Sequence, residues 1–227
     1  MITSYKHKFL TVDIPKTGTR TLRETLAPLK VISILGEPNT QAEFYQHDKL
    51  SRIKKTFDIK FKQTNDPIWN IDKYYIFTII RNPWSRYFSF FNYFKSASEN
   101  YEKFLSGNLQ GWNEAQIHQG KSSHDFFNNG LSEKDLMKRI VKNNDDQGSF
   151  FIYNDNIHAT HVARFENLKN EILDFCNLFF LENPIVTHGN KGEYSIKMNE
   201  LYDQEIVDLI AQREKVLLNH YSFDYES

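Results

Sequence analysis

The run YYIFTII, Tyr74 to Ile80, passes straight into Arg81-Asn82-Pro83. A β-rich apolar run of this length reads as a strand buried on both faces, as in the interior of a parallel sheet. Pro83 has no N–H to give a ladder, and it suits the first position of a helix. Beyond it, Trp84, Tyr87, Phe88, Phe91 and Phe94 recur at helical spacing as a broad apolar stripe. Strand, sharp turn and amphipathic helix therefore follow one another without a linker.

The same grammar occurs about sixty residues earlier, in FLTVDIPKTGTRTLRETL, Phe9 to Leu26. Phe9 to Ile14 suits a central strand, and Pro15 ends its ladder. Gly18 allows a turn that a Cβ would hinder. Thr17 or Thr19 is expected to cap the helix that follows, whose Leu22, Leu26 and Leu29 face a core. Each turn places a cation and hydroxyls where a strand hands over to a helix.

A helix start presents free N–H groups and a partial positive charge. Lys16 adds a full charge at the first turn, and the threonines add donors, so the turn is built like a phosphate cradle. It is not a Walker A loop, which needs the lysine after the last glycine. Here Lys16 precedes Gly18, which counts against an ordinary kinase or GTPase. At the second turn Arg81 suits a terminal phosphate, with Ser89 on the following helix. The alternatives are a plain strand–turn–helix with a surface lysine, and structural ion pairs for Arg81 and Arg86. Two anion turns on strands that can pair suggest a ligand with phosphates at both ends.

Together these stretches resemble the sulfotransferases that use 3'-phosphoadenosine 5'-phosphosulfate (PAPS). PKTGTRTLRETL at 15–26 is similar to that family's 5'-phosphosulfate loop. RNPWSRYFSFF at 81–91 is similar to its 3'-phosphate motif, R-N-P-x-x-R-x-x-S. HVARFENLKNEILDFCNLF at 161–179 resembles a later strand and helix, THGNKGEYS at 187–195 a late loop, and 201–225 the terminal helix with its aromatic tail. The likeness is nearest to the Golgi carbohydrate type, such as heparan and chondroitin sulfotransferases, and is weak over 95–146, the expected acceptor side.

What the resemblance implies is specific. The fold is α/β, a single domain over 1–227 with a mainly parallel sheet flanked by helices, P-loop-like. PAPS is the donor, PAP the product, and no metal is required. Lys16 serves the leaving oxygen. Backbone N–H groups of Thr17, Gly18, Thr19, Arg20 and Thr21 hold the 5'-phosphate, and the Arg20 side chain reaches the sulfate or the acceptor. Arg81 and Ser89 hold the 3'-phosphate, and Lys191, Gly192 and Tyr194 close over the nucleotide. The acceptor is a hydroxyl, on a glycan by this likeness. Its base is His47, with Glu37 or Glu43 as alternatives.

The rest of the chain sets bounds. At 227 residues it is long enough for a full core. A net charge of −1 and a pI near 6.7 give no global basic field, which argues against nucleic acid as a partner. The basic patch at Lys54, Lys55, Lys60 and Lys62 is either a solvated helix face or a contact for an anionic glycan. The lone Cys176 falls on an apolar helical stripe and reads as core packing. No signal peptide or membrane span is read in the chain, so a cytoplasmic location is expected. His118 and His124 lie on the expected acceptor side, whereas His158 and His161 flank a strand. Asn167 is read as a helix cap, and Glu166 and Arg164 as parts of a local structural ion pair. Helices are expected at 19–29, 47–57, 83–95, 122–129, 132–143, 167–181 and 201–219, and strands at 8–14, 31–35, 74–80 and 161–165.

Overall fold

The computed structural model describes residues 1–29, 33–34, 47–186 and 196–225. Its strands are β1 (Ile2–Ser4), β2 (Phe9–Val12), β3 (Ser33–Ile34), β4 (Tyr75–Ile80), β5 (Ile152–Tyr153), β6 (Asn156–Ile157) and β7 (His161–Arg164). Its helices are α1 (Thr19–Leu26), α2 (Leu50–Thr64), α3 (Pro83–Leu105), α4 (Glu114–Phe127), α5 (Glu133–Asn143), α6 (Leu168–Leu178), α7 (Met198–Leu201), α8 (Gln204–Arg213) and α9 (Lys215–Leu218). They form two compact units, Met1–Asn82 with Asp146–Gly192, and Pro83–Asp145 with Glu193–Ser227.

The first unit carries a five-stranded sheet in the order β3-β1-β2-β4-β7. β2 pairs parallel with β4 and β4 with β7, while β1 is antiparallel to both β2 and β3. Four of the five strands thus point one way, which makes the sheet mainly parallel as expected. Every residue of β2, and Ile76 to Ile80 of β4, is buried. This is why YYIFTII shows no polar alternation. On one face Phe9, Phe77 and Ile79 pack with Leu22 and Leu26 of α1 and with Ile172, Phe175 and Cys176 of α6. Cys176 is therefore the core residue that its stripe indicated.

Register then fixes the functional edge. Val12 pairs with Thr78, and Ile80 pairs with Arg164, so β2, β4 and β7 end side by side. Thr78 Oγ1 donates to the Val12 carbonyl at 2.9 Å, tying the two ends together. From β2 the chain crosses to β3 on one side and then to β4 on the other. The order reverses at the carboxyl end of β2, where open α/β sheets bind ligands.

The second unit is helical. Trp84, Tyr87 and Phe91 of α3 share a core with Leu136 and Ile140 of α5 and with Ile206 and Ile210 of α8. Arg86 and Glu214 form an ion pair there at 2.8 Å, 1% and 0% exposed. Arg86 is thus the structural pair that one reading of the sequence allowed. Gly120 is buried in α4 against the Trp112 ring, which would lie 2.5 Å from any Cβ there, so only glycine fits.

Several boundaries differ from expectation for identifiable reasons. Ile2–Ser4 forms a buried strand where none was expected. α3 runs ten residues past Lys95, since its polar continuation packs Ser98 inside and then meets α4. α4 starts at Glu114 because Asn113 and Gln116 form a reciprocal capping box. The terminal helix breaks into α7, α8 and α9, as Asp203 turns from the helix path and caps the Ile206 N–H at 3.1 Å. Among the described residues no helix is long and apolar enough to cross a membrane.

Candidate active site

Lys16 sits in the turn between β2 and α1, at φ 68, with Gly18 two residues on at φ 87. A lysine in the left-handed region is uncommon and is held there by its neighbours. Thr17 is fully buried and its Oγ1 donates to the Ile14 carbonyl at 2.9 Å. Neither threonine caps α1, contrary to expectation. The cap position is Gly18, no side chain caps it, and its carbonyl takes the first helical bond, from Leu22 N at 3.3 Å. The first-turn N–H groups of Thr19, Arg20 and Thr21 therefore have no intrahelical acceptor.

Gly18 is needed for a second reason. A Cβ there would lie 2.7 Å from Leu168 Cδ2 and 2.9 Å from Phe165 Cδ2. The turn thus rests directly on the chain that follows β7. Phe165 also carries the Arg81 guanidinium 4.2 Å above its ring centroid. Arg81 Nη1 donates to the Lys16 carbonyl at 3.3 Å. Its backbone is clamped by the buried Gln147, which accepts from Arg81 N at 2.8 Å and donates to Arg81 O at 2.9 Å. Asn82 N donates to Glu166 Oε1 at 2.7 Å, so Glu166 pins this turn too. Asn167 holds the N-cap position of α6 as expected, but its side chain makes no cap bond; its Oδ1 accepts from Asn170 instead.

Two cations so placed raise each other's energy when charged. Burial, and then the charge of Arg81, push the Lys16 amine down to about 8. Such a site is ready for an anion, whose charge would relieve both.

His47 reaches the same loop from the turn just ahead of α2. Its Nδ1 lies 2.8 Å from the backbone carbonyl of Asp13. A carbonyl only accepts, so Nδ1 carries the proton and Nε2 the lone pair. Burial is the larger influence on the ring and lowers its pKa below the ordinary histidine value. His47 is therefore neutral near pH 7, while one side of the residue is exposed. Asp13 anchors the arrangement. Its buried carboxylate accepts from Thr11 Oγ1 at 2.8 Å, Arg23 Nη2 at 2.9 Å and the Met1 amine at 2.8 Å.

The structure thus brings Lys16, the α1 start, Arg81 and His47 to one edge of the first unit. Arg20 is 67% exposed on α1 and paired with Glu24 at 2.6 Å. Ser89 is buried on α3 of the second unit. Lys191, Gly192, Tyr194, Glu37 and Glu43 lie outside the described residues. Gln147, Phe165 and Asp13 were not anticipated as site residues. Gln147 sits in no recognisable motif, whereas Phe165 follows a strand and Asp13 closes one, a position that favours function in a parallel sheet.

The donor set fits a phosphate-rich anion, with a lysine, a guanidinium and helix-start N–H groups facing one turn. No curated protein and no solved structure matches the chain. The model of the sulfotransferase family matches residues 1–227. With that match across its whole length, the chain belongs to the sulfotransferase family, enzymes that use PAPS.

Proposed function

We propose that this protein transfers a sulfuryl group from PAPS to a hydroxyl of a carbohydrate acceptor, with Lys16 and His47 at the reacting end and Arg81 at the 3'-phosphate. The carrying observation is the contact of Arg81 with the Lys16 carbonyl, at the carboxyl ends of two paired parallel strands. Support for the carbohydrate comes from the likeness of 15–26 and 81–91 to the carbohydrate type.

PAPS supplies an SO3 group on a phosphate oxygen, where negative charge grows as that bond breaks. Lys16 stabilises this charge, as does the start of α1, and both are oriented before substrate arrives. The N–H groups of Thr17 to Thr21 hold the 5'-phosphate. Arg81 holds the 3'-phosphate, its plane set by Phe165 and its backbone by Gln147. His47 Nε2 takes the acceptor's proton, while the Asp13 carbonyl keeps the other nitrogen protonated. Arg20, once it leaves Glu24, serves the sulfate or the acceptor. Ser89 as a 3'-phosphate ligand, and Lys191, Gly192 and Tyr194 as a cover, rest on the resemblance.

The test is transfer from radiolabelled PAPS to a panel of glycans and simple alcohols. Sulfate ester formed in step with PAP, and lost in Lys16→Ala, supports the reading. No ester with any acceptor, or magnesium-dependent phosphate transfer from ATP, overturns it.

A further inference from the structure

The second unit contains a cavity of ≈ 230 Å³ bordered by α3, α4 and α5. Its apolar walls are Phe94, Phe126 and Ile140. A dry apolar void of about 150 Å³ holds benzene, so there is room here for a small ring system. None of these side chains belongs to the proposed donor or base machinery.

Gln119, Ser122, Ser123, Arg139, Asn143 and Asn144 complete the lining, and two of them make it more than a packing gap. Ser123 lines the cavity at 4% exposure. Arg139 stands at the same wall with its guanidinium 5.6 Å from the Phe126 ring centroid. The other cations of these helices are mostly neutralised. Lys95 pairs with Glu133, Lys121 with Asp125, Lys134 with Asp203 and Lys138 with Glu205. Arg139 has no acidic partner among the described residues. An apolar slot, an exposed guanidinium beside an aromatic ring and a serine hydroxyl together select for a ring bearing a negative charge.

We infer that this cavity binds a small ring-bearing anion, an aryl carboxylate or aryl sulfate, with the ring on Phe94, Phe126 and Ile140 and the charge on Arg139. Ser123 Oγ supplies a further donor to the anionic group or to a ring substituent.

Titration calorimetry with 2-naphthoate as the probe tests this, on the whole protein with and without saturating PAP. Saturable binding is expected that PAP leaves intact. Arg139→Gln should weaken it at least about tenfold, as for loss of a charge-assisted contact. The uncharged methyl ester should be weaker on wild type by a similar factor, a comparison that needs no variant. Naphthalene-2-sulfate in place of the carboxylate ranks the two anions. No saturation at the solubility limit, equal binding by Arg139→Gln and wild type, equal binding of ester and acid, or displacement by PAP would each overturn the proposal. All the residues concerned lie in the second unit, so these outcomes are separable from those at Lys16 and Arg81.

Discussion

His47 donates its Nδ1 proton to the backbone carbonyl of Asp13 at 2.8 Å, across 34 residues of sequence. That bond assigns the tautomer and leaves Nε2 as the proton acceptor. Because burial holds the ring's pKa below 6.5, the base form persists below the ordinary histidine range. The acid limb of kcat/KM against pH should therefore have its midpoint below 6.5. His47→Ala should lower kcat by about 10²–10⁴ while leaving PAP binding intact. An acid limb centred above 6.5 would show that another group is the base.

Lys16 gives the opposite side of the profile. Its amine titrates at about 8 in the free protein, below the ordinary 10.5. PAP affinity should be full below pH 8 and should fall as pH rises through that value. Binding above pH 8 should take up a proton, measurable by calorimetry in buffers of differing ionisation enthalpy. The folded amine binds protons less tightly than the unfolded one, so charged Lys16 costs stability below pH 8, and the cost is relieved between pH 8 and 10.5. Lys16→Met should accordingly stabilise the ligand-free protein by on the order of 1–3 kcal/mol at pH 7, while removing its response to PAP.

Gly18→Ala tests the turn itself. The substitution puts a Cβ at φ 87 and within 2.7 Å of Leu168 and 2.9 Å of Phe165. Left-handed strain and overpacking together should cost about 2–4 kcal/mol. Because Phe165 carries the Arg81 guanidinium, PAP affinity should fall as well. Chemical denaturation measures the first effect and calorimetry the second.

The second unit offers an independent check. Glu214→Ala leaves Arg86 buried without its carboxylate, and loss of one partner of a buried pair costs about 3–5 kcal/mol. Replacing both residues with methionine should recover much of that loss. Urea unfolding of the two variants decides the matter, and equal destabilisation in both would contradict it.

Much of the frame was legible in the chain, for physical reasons. The unbroken apolar run before Arg81 has one good solution, a fully buried strand, and Pro83 marks the helix start where it is found. Parallel neighbours whose carboxyl ends align then bring Lys16 and Arg81 together. Other features depend on contacts that no local pattern encodes. The β1 strand is three residues long, too short for periodicity to declare. The Gln147 clamp on Arg81 spans 66 residues, and the His47 contact is to a backbone carbonyl, which leaves no trace in side-chain pattern. The Asn113–Gln116 capping box was present in the letters as N-x-x-Q, and reading it would have placed the start of α4 correctly.

The most direct test of the account is thermal unfolding with PAP, against 5'-AMP and ATP with magnesium, on wild type and Arg81→Ala. Ligand at about 100 times its Kd adds about 2.7 kcal/mol, or very roughly 5–10 °C for a chain of this size. A shift selective for PAP over both controls, and abolished in Arg81→Ala with its ligand-free Tm little changed, is the predicted result. No shift with PAP, or a larger one with ATP and magnesium, would contradict a PAP site at Lys16 and Arg81.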